Sequence, residues 1–372
     1  MSVFWNERVK NITPYIPGEQ PQDRKYIKLN TNENPYPASP AVFAAIQKTT
    51  DEKLKLYPNP SCTELREAVA KRFDVKTSRV FTGNGSDEIL AFAFAAFFNS
   101  GGCAGGGEKP LLFPDITYSF YPVYAKLWDV PFKQIPVKND FSVDIDAYLE
   151  MILQGKSGGV IFANPNAPTG ITLSIAELEK IAGALEKNRQ ALVLDEAYIA
   201  FADNAGSAIP LVNNFSNLLV VRTLSKEASL AGLRAGYAIG SEELIEGLCR
   251  IRDCFNSYTL DRLALAGAKA AIEDAPYYEG INRRVIATRR RVSGELESRG
   301  FKVLPSQANF IFASPPEKCG KTAQEFFTIL REGGILVRHF NKPRIADYLR
   351  ISIGTDEEMD AFLKASSEIL KM

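Results

Sequence analysis

The chain reads as an α/β protein: a large unit built on a mostly parallel sheet flanked by helices, and a smaller α+β unit after it. Three observations predict this. From about residue 80 to 240, short apolar runs alternate with amphipathic stretches and no internal repeat occurs, the pattern of a doubly wound sheet. The runs Val160–Ala163 and Leu218–Val221 are apolar throughout and rich in β-branched residues, as strands covered on both faces must be. Residues 301–372 then alternate strand and helix again, and 372 residues are enough for two cores.

Composition narrows the function classes. The chain is 45% apolar and 24% charged, and 44 basic residues balance 44 acidic ones, so no basic excess points to nucleic acid or an anionic membrane. The single histidine, His339, excludes a multi-histidine metal site and argues against a Ser-His-Asp triad. Five cysteines without a CxxC spacing read as reduced thiols of a cytoplasmic protein. The N-terminus lacks the apolar core of a signal peptide, and the longest apolar stretch, Ile89 to Phe98, is too short to span a bilayer and reads as a buried helix.

Residues 1–40 are proline-rich but carry Tyr15, Tyr26 and Tyr36, too many aromatics for a solvated tail. A short helix is expected over 40–48, and Ser61 with Glu64 reads as a capping box opening a helix through Arg72. Val80–Thr82 predicts a strand, and Thr82-Gly-Asn-Gly85-Ser86-Asp87 a glycine turn at a helix start, where backbone N–H groups suit an anion. Ser100–Lys109 reads as a glycine-rich surface loop. Strands follow at Leu111–Phe113 and near Phe132–Pro136, and a helix at Asp144–Leu153. Ser174 and Glu177 open an amphipathic helix over 174–188. Residues 241–300 read as helical, with Arg289-Arg-Arg291 on a solvated face. The last part reads as strands at Phe301–Leu304, Phe310–Phe312, Ile335–Arg338 and Leu349–Ile353, with helices at Thr322–Glu332 and after Thr355-x-x-Glu358.

Chemistry concentrates at strand ends, where open α/β sheets bind ligands. The segment Arg222-Thr-Leu-Ser225-Lys226, with Arg234 eight residues on, can hold a phosphate with hydroxyls and a guanidinium while aiming one amine at a carbonyl carbon. Val193-Leu-Asp195-Glu-Ala-Tyr198 delivers an acid at the end of a strand, where it can keep a pyridine nitrogen protonated. Asn164-Pro-Asn166-Ala-Pro168-Thr-Gly170 follows another strand. Together these suit pyridoxal 5'-phosphate.

These stretches, in this order and over essentially the whole chain, resemble the fold type I pyridoxal-phosphate aminotransferases. The Thr13-Pro-Tyr15 and Asn32-Glu-Asn34-Pro pieces are similar to those of histidinol-phosphate aminotransferases. The resemblance implies a seven-stranded sheet in a large domain over 41–265, a small domain over 266–372, and residues 1–40 packed on the latter. It implies that Lys226 carries the cofactor and shuttles protons, that Asp195 pairs with the pyridine nitrogen and that Tyr198 bonds the phenolic oxygen. Gly85, Ser86, Asp87, Ser225 and Arg234 would hold the phosphate, Tyr118 would stack on the ring, and Tyr57 would reach the cofactor of a partner subunit, making a homodimer. Arg338 and Arg350, two planar forks, suit a dianionic substrate group, with Tyr15 and Asn32 beside them. The implied reaction moves an amino group between histidinol phosphate and 2-oxoglutarate. A threonine-phosphate decarboxylase-like lyase, an aromatic aminotransferase and a non-enzymatic cofactor-binding module are the alternatives. Two departures stand out: Ala167 occupies the place where the family has an asparagine, so that Asn166 would have to reach the phenolic oxygen, and Glu227 follows the lysine, where an acid would favour its ammonium form.

Overall fold

A computed structural model of the protein describes residues 3–101 and 109–372, so the glycine-rich loop expected over 100–109 lies largely outside the described residues, as does Cys103. The N-terminal segment contains α1 (Glu7–Asn11) and β1 (Ile27–Lys28). The large unit follows with α2 (Pro40–Thr49), α3 (Thr63–Phe73), β2 (Val80–Asn84), α4 (Gly85–Phe97), β3 (Leu111–Pro114), α5 (Tyr121–Leu127), β4 (Phe132–Ile135) and α6 (Ile145–Leu153). It continues through β5 (Val160–Ala163), α7 (Ile175–Lys187), β6 (Leu192–Asp195), β7 (Leu218–Thr223), α8 (Leu224–Glu227), β8 (Ala235–Ile239), α9 (Glu242–Phe255) and α10 (Arg262–Glu273). The remainder comprises α11 (Ala275–Ser298), β9 (Lys302–Val303), β10 (Phe310–Ser314), α12 (Ala323–Glu332), β11 (Ile335–Leu336), β12 (Arg338–His339), β13 (Leu349–Ser352) and α13 (Asp356–Ile369).

The large sheet has seven strands in the order β2-β8-β7-β6-β5-β3-β4. Every pairing from β7 to β4 is parallel, and β8 runs antiparallel to both its neighbours. Along β7, Leu218 and Val220 enter one apolar cluster and Leu219 and Val221 the other, all fully buried. That is why this strand shows no polar alternation: helices cover both faces. The carboxyl ends of β2, β3, β5, β6 and β7 all open on one edge. Because β8 is reversed, the residue that precedes it, Arg234, arrives at the same edge.

The smaller unit is a four-stranded antiparallel sheet, β12-β13-β10-β9, and β1 adds in parallel to β11. The N-terminal segment is thus tied to this unit, and Ser352 N–H donates to Leu29 O at 2.9 Å. Residue 265, expected as the end of the large domain, falls inside α10. That helix lies against α2 and α3, with Gly267 close to Ile46, so its residues belong with the large unit.

The predicted capping boxes formed at two helix starts and failed at one, and a further box, not expected, closes at Thr322. Ser174, Thr322 and Thr355 each close a reciprocal capping box with the glutamate three positions on. Ser61 does not: its N–H goes to Asn59 Oδ1 (2.8 Å), Cys62 becomes the cap in a left-handed conformation (φ 48°), and Glu64 pairs with Lys269 at 2.7 Å. The helix therefore begins one residue late, and Glu64 cannot reach back. The arginine run is also corrected. Arg289 is 2% exposed and donates to the carbonyls of Phe201 and Ala308, both at 2.7 Å, instead of lying on a solvated face.

Candidate active site

The shared edge of the sheet opens into a cleft of about 690 Å³, roofed by the N-terminal segment and the 338–350 region of the smaller unit. Lys226 lines it from α8, a single turn begun by Thr223, whose hydroxyl accepts from Ser225 N–H. Lys226 Nζ donates to Thr31 O at 3.0 Å. Burial, with help from the nearby Arg350 charge, brings its amine down to about 8, so roughly a tenth is unprotonated at pH 7, far more than for an ordinary lysine.

Asp195 faces it from the end of β6. Its carboxylate accepts from Tyr121 Oη (3.2 Å) and Ala197 N–H (3.2 Å), with no cation paired to it. Burial, reinforced by the Asp87 charge, raises its carboxyl to about 7. A buried carboxylate without a cationic partner is costly, and a protonated ring nitrogen would relieve that cost. Tyr198 accepts from Asn32 Nδ2 at 3.0 Å, and Asn32 is held in turn by Ser352 and Asn309.

The turn into α4 forms the third wall. Gly85 has φ +75°, and a Cβ there would lie 2.7 Å from Arg234 Nη2. Only glycine gives both that backbone and that approach. The cap of α4, Asn84, places no side chain over the first-turn N–H groups, which leaves them available to an anion. Arg234 donates to Ser225 Oγ (3.3 Å) and Asp87 Oδ2 (3.2 Å), and Tyr118 Oη donates to Asp87 Oδ1 (2.9 Å). Asp87 thus orients the guanidinium and the aromatic ring through its carboxylate.

At the outer end, Arg338 and Arg350 are direct cross-strand partners on β12 and β13. Arg338 donates to Ile16 O and Pro17 O, both 3.2 Å, and Arg350 to Asn30 O at 2.7 Å. Both guanidiniums lie over the Phe340 ring, and the Arg350 Nε–H is buried with no partner. Burial, together with Arg338, makes Arg350 a weaker base than an ordinary guanidinium. Tyr15 stacks on Phe120 (4.2 Å between centroids) and also lines the cleft.

Three expected site residues do not line this cleft: Asn166, Tyr57 and Gly85, the last of which sits behind it against Arg234. Asn166 is buried beside the cleft, accepting from Thr117 Oγ1 (2.7 Å) and donating to Ile116 O (2.9 Å) and Thr169 Oγ1 (3.2 Å). Its amide is spent bracing the loop that bears Tyr118; Ala167 and Pro168 line the cleft in its stead. Tyr57 is 80% exposed, stacked on Tyr258, and away from this chain's own cleft. Glu227 likewise departs from expectation. It turns away from Lys226 to pair with buried Arg222 and to accept from Tyr237 Oη at 3.3 Å. Sequence reasoning missed Tyr121 and Thr31, and also the segment from Phe340 to Ile345, where Arg344 grips Asp115 at 3.2 Å and the carbonyls of Val137 and Lys138. Arg344 also donates across the cleft from a left-handed backbone (φ 69°), which no local motif announces.

A strand-end lysine, a facing buried acid, and a glycine turn with an arginine define a pyridoxal-phosphate enzyme of fold type I. Comparison with known proteins agrees. Residues 24–365 match the aminotransferase class I and II family, and the chain belongs to it. Among curated relatives, histidinol-phosphate aminotransferases of Clostridium acetobutylicum and Chromohalobacter salexigens are 51% and 50% identical, each aligned over 100% of both chains. In fold, the crystal structure of histidinol-phosphate aminotransferase from Sinorhizobium meliloti in complex with pyridoxal-5'-phosphate superposes with a TM-score of 0.88 at 22% identity, covering 100% of this chain and 98% of that one. The protein is an aminotransferase.

Proposed function

We propose that this enzyme moves the amino group of histidinol phosphate to 2-oxoglutarate, with pyridoxal 5'-phosphate bound at Lys226. The observation that carries the substrate half is the Arg338–Arg350 pair. Two guanidiniums from directly paired strand positions, one with a buried N–H lacking a partner, suit a dianion such as a phosphate ester better than a single carboxylate. The names of the two curated relatives support the same donor.

The cofactor supplies an aldehyde that takes up the amino group and a ring that accepts the electrons freed when the donor loses its Cα proton. The chain does the rest. Lys226 holds the cofactor covalently and, once its amine is free, moves the Cα proton; the neutral fraction that burial secures makes it a competent base. Asp195 would keep the ring nitrogen protonated, Tyr198 would donate to the phenolic oxygen and Tyr118 would pack against the ring. The first-turn N–H groups from Gly85 to Asp87 hold the phosphate with Ser225 and Arg234. Tyr15 and Asn32 close the site over the donor.

Phe43, Leu54, Leu56, Tyr57, Phe255 and Tyr258 are all exposed apolar residues, which supports a homodimer in which Tyr57 reaches the cofactor phosphate of the partner subunit. Free Cys62, Cys249, Cys254 and Cys319 fit the reducing cytoplasm. Among the described residues no helix is long and apolar enough to cross a membrane. Two domains meet at Asp274, between α10 and α11, instead of after residue 265.

The test is a panel of amino donors mixed with the loaded enzyme, with the cofactor spectrum and the products followed. Rapid conversion by histidinol phosphate and by glutamate is expected. Conversion by glutamate but not by histidinol phosphate rejects the donor, and carbon dioxide release identifies the lyase.

A further inference from the structure

The lysine at the centre of the site is carried by a helix of one turn, and a helix that short leaves most of its carbonyls without helical partners. Two side-chain amides, far apart in sequence, hold the last two carbonyls of this turn, the first of which also accepts from the Ala228 and Ser229 N–H groups. Asn34 Nδ2 donates to Lys226 O at 3.2 Å, and Asn282 Nδ2 donates to Glu227 O at 3.1 Å. The two amides are themselves joined, Asn34 Nδ2 to Asn282 Oδ1 at 3.1 Å, and Asn34 Oδ1 accepts from Tyr36 N–H at 3.1 Å. Asn282 lies on the buried stripe of α11 among Tyr278, Ile281 and Val285. An amide there costs free energy unless each of its polar atoms is bonded, and here each is.

The opposite side of the same turn is held differently. Glu227 is locked to Arg222 of β7 and Tyr237 of β8, so the large sheet grips the turn by its side chain. The N-terminal segment and α11 grip it by its carbonyls. The N-terminal segment also holds the other end of the lysine, since Thr31 O accepts from Nζ. Within four consecutive positions, Thr31 therefore fixes the amine of residue 226 and Asn34 its backbone, while Asn32 between them reaches Tyr198.

We propose that Asn282, acting through Asn34, is a positioning residue for Lys226: it fixes the carbonyl end of the lysine's turn and ties the amine's location to the N-terminal segment that closes over the donor. This rests on the reading that Lys226 carries the cofactor. Neither asparagine lines the cleft or touches a reacting atom, so both act through the backbone they hold.

Its consequence is measurable because burial is the main reason the Lys226 amine sits low. The charges that face it are Arg350 from β13, Arg234 ahead of β8, Glu33 from the N-terminal segment and Asp87 from α4. None of these is touched by either asparagine. Loosening the turn lets water reach the amine while those charges stay in place.

The experiment compares Asn282→Ala, Asn34→Ala and the double variant with Asn217→Ala. Asn217 is a matched control: it is also buried, and its Nδ2 bonds the carbonyls of Ala182 (3.1 Å) and Gln190 (2.8 Å), at the edge of the sheet away from the site. Wild type is first loaded, reduced with borohydride and peptide-mapped; absence of label at Lys226 overturns the underlying reading whatever the variants do. Cofactor-free proteins are then reductively methylated with formaldehyde across pH, and the loaded enzymes are assayed. In Asn282→Ala the pH at which Lys226 begins to react moves up by about one unit or more. Turnover falls roughly tenfold to a hundredfold, the range expected for a displaced reacting group, with donor KM nearly unchanged. Asn34→Ala shows the same changes, and the double variant is no worse than Asn282→Ala because the two share one network. Asn217→Ala loses thermal stability without moving either readout. If Lys226 is labelled in wild type yet the Asn282 and Asn34 variants match Asn217→Ala in both readouts, the positioning role is wrong. Should Asn282→Ala not fold, the half-buried Asn34→Ala alone decides by the same criteria.

Discussion

Replacing Asp195 by asparagine should have opposite effects on the empty and the loaded protein. The carboxylate is 5% exposed, its oxygens accept from Tyr121 and Ala197, and no cation offsets its charge. Its carboxyl stands at about 7, against 3.8 for the free side chain, chiefly through burial. Ionising it in the folded, empty protein therefore costs about 4 kcal/mol at most, at ~1.4 kcal/mol per pH unit. The sign follows from proton binding. Between about pH 4 and 7 the folded chain keeps a proton here that the unfolded chain has lost, so stability falls as pH rises through that window and stays reduced above it. Asparagine has no such titration. It costs about 1–2 kcal/mol for an amide N–H that must find an acceptor in the carboxylate's place.

In the cofactor-free protein, the variant should thus be more stable than wild type by about 2 kcal/mol at pH 8 and less stable by about 1–2 kcal/mol near pH 4. Urea denaturation of both proteins at four pH values measures the crossing. In the loaded protein the same change removes a charge-assisted hydrogen bond worth roughly 1.5–3 kcal/mol. Cofactor affinity should drop roughly tenfold to a hundredfold, and turnover should drop further because the ring loses its enforced positive charge. A variant that is less stable than wild type at every pH, or one that turns over at the wild-type rate, would refute the reasoning.

Other consequences are simpler. Arg350→Ala should raise donor KM by roughly a hundredfold and Arg338→Ala by about tenfold, because only the first carries a buried N–H with no partner of its own; steady-state kinetics with the phosphorylated donor decides. Gly85→Ala forces a left-handed backbone onto alanine and places a methyl group against Arg234, so spectral titration should show cofactor binding weakened by at least about tenfold. Glu227→Gln leaves Arg222 with only Glu196, 3.4 Å away, and should cost about 3 kcal/mol of stability at pH 7 in urea denaturation.

Asp195, Lys226 and Arg234 were legible because the first two sit at or within one turn of a strand's end and the third directly before a strand, and the strands declare themselves by their apolar runs. What was hidden depended on which way a side chain turns once distant neighbours arrive. Asn166 and Glu227 lie beside the predicted chemistry in sequence, yet Asn166 is claimed by Thr117 and Ile116, and Glu227 by Arg222. The pairing of Arg338 with Arg350 was expected only through the family resemblance; it arises from register between β12 and β13, which no local spacing encodes. The same holds for Ser61, where a correct motif failed because a left-handed Cys62 shifted the helix start by one residue. Local signals thus located the reacting groups, whereas the groups that aim them, Tyr121, Asn34 and Asn282, come from segments that meet only in the folded chain. A residue that works by holding another's backbone carries no signature of its own chemistry, so its role is read from the hydrogen bonds it makes and from what those bonds would otherwise leave unpaired.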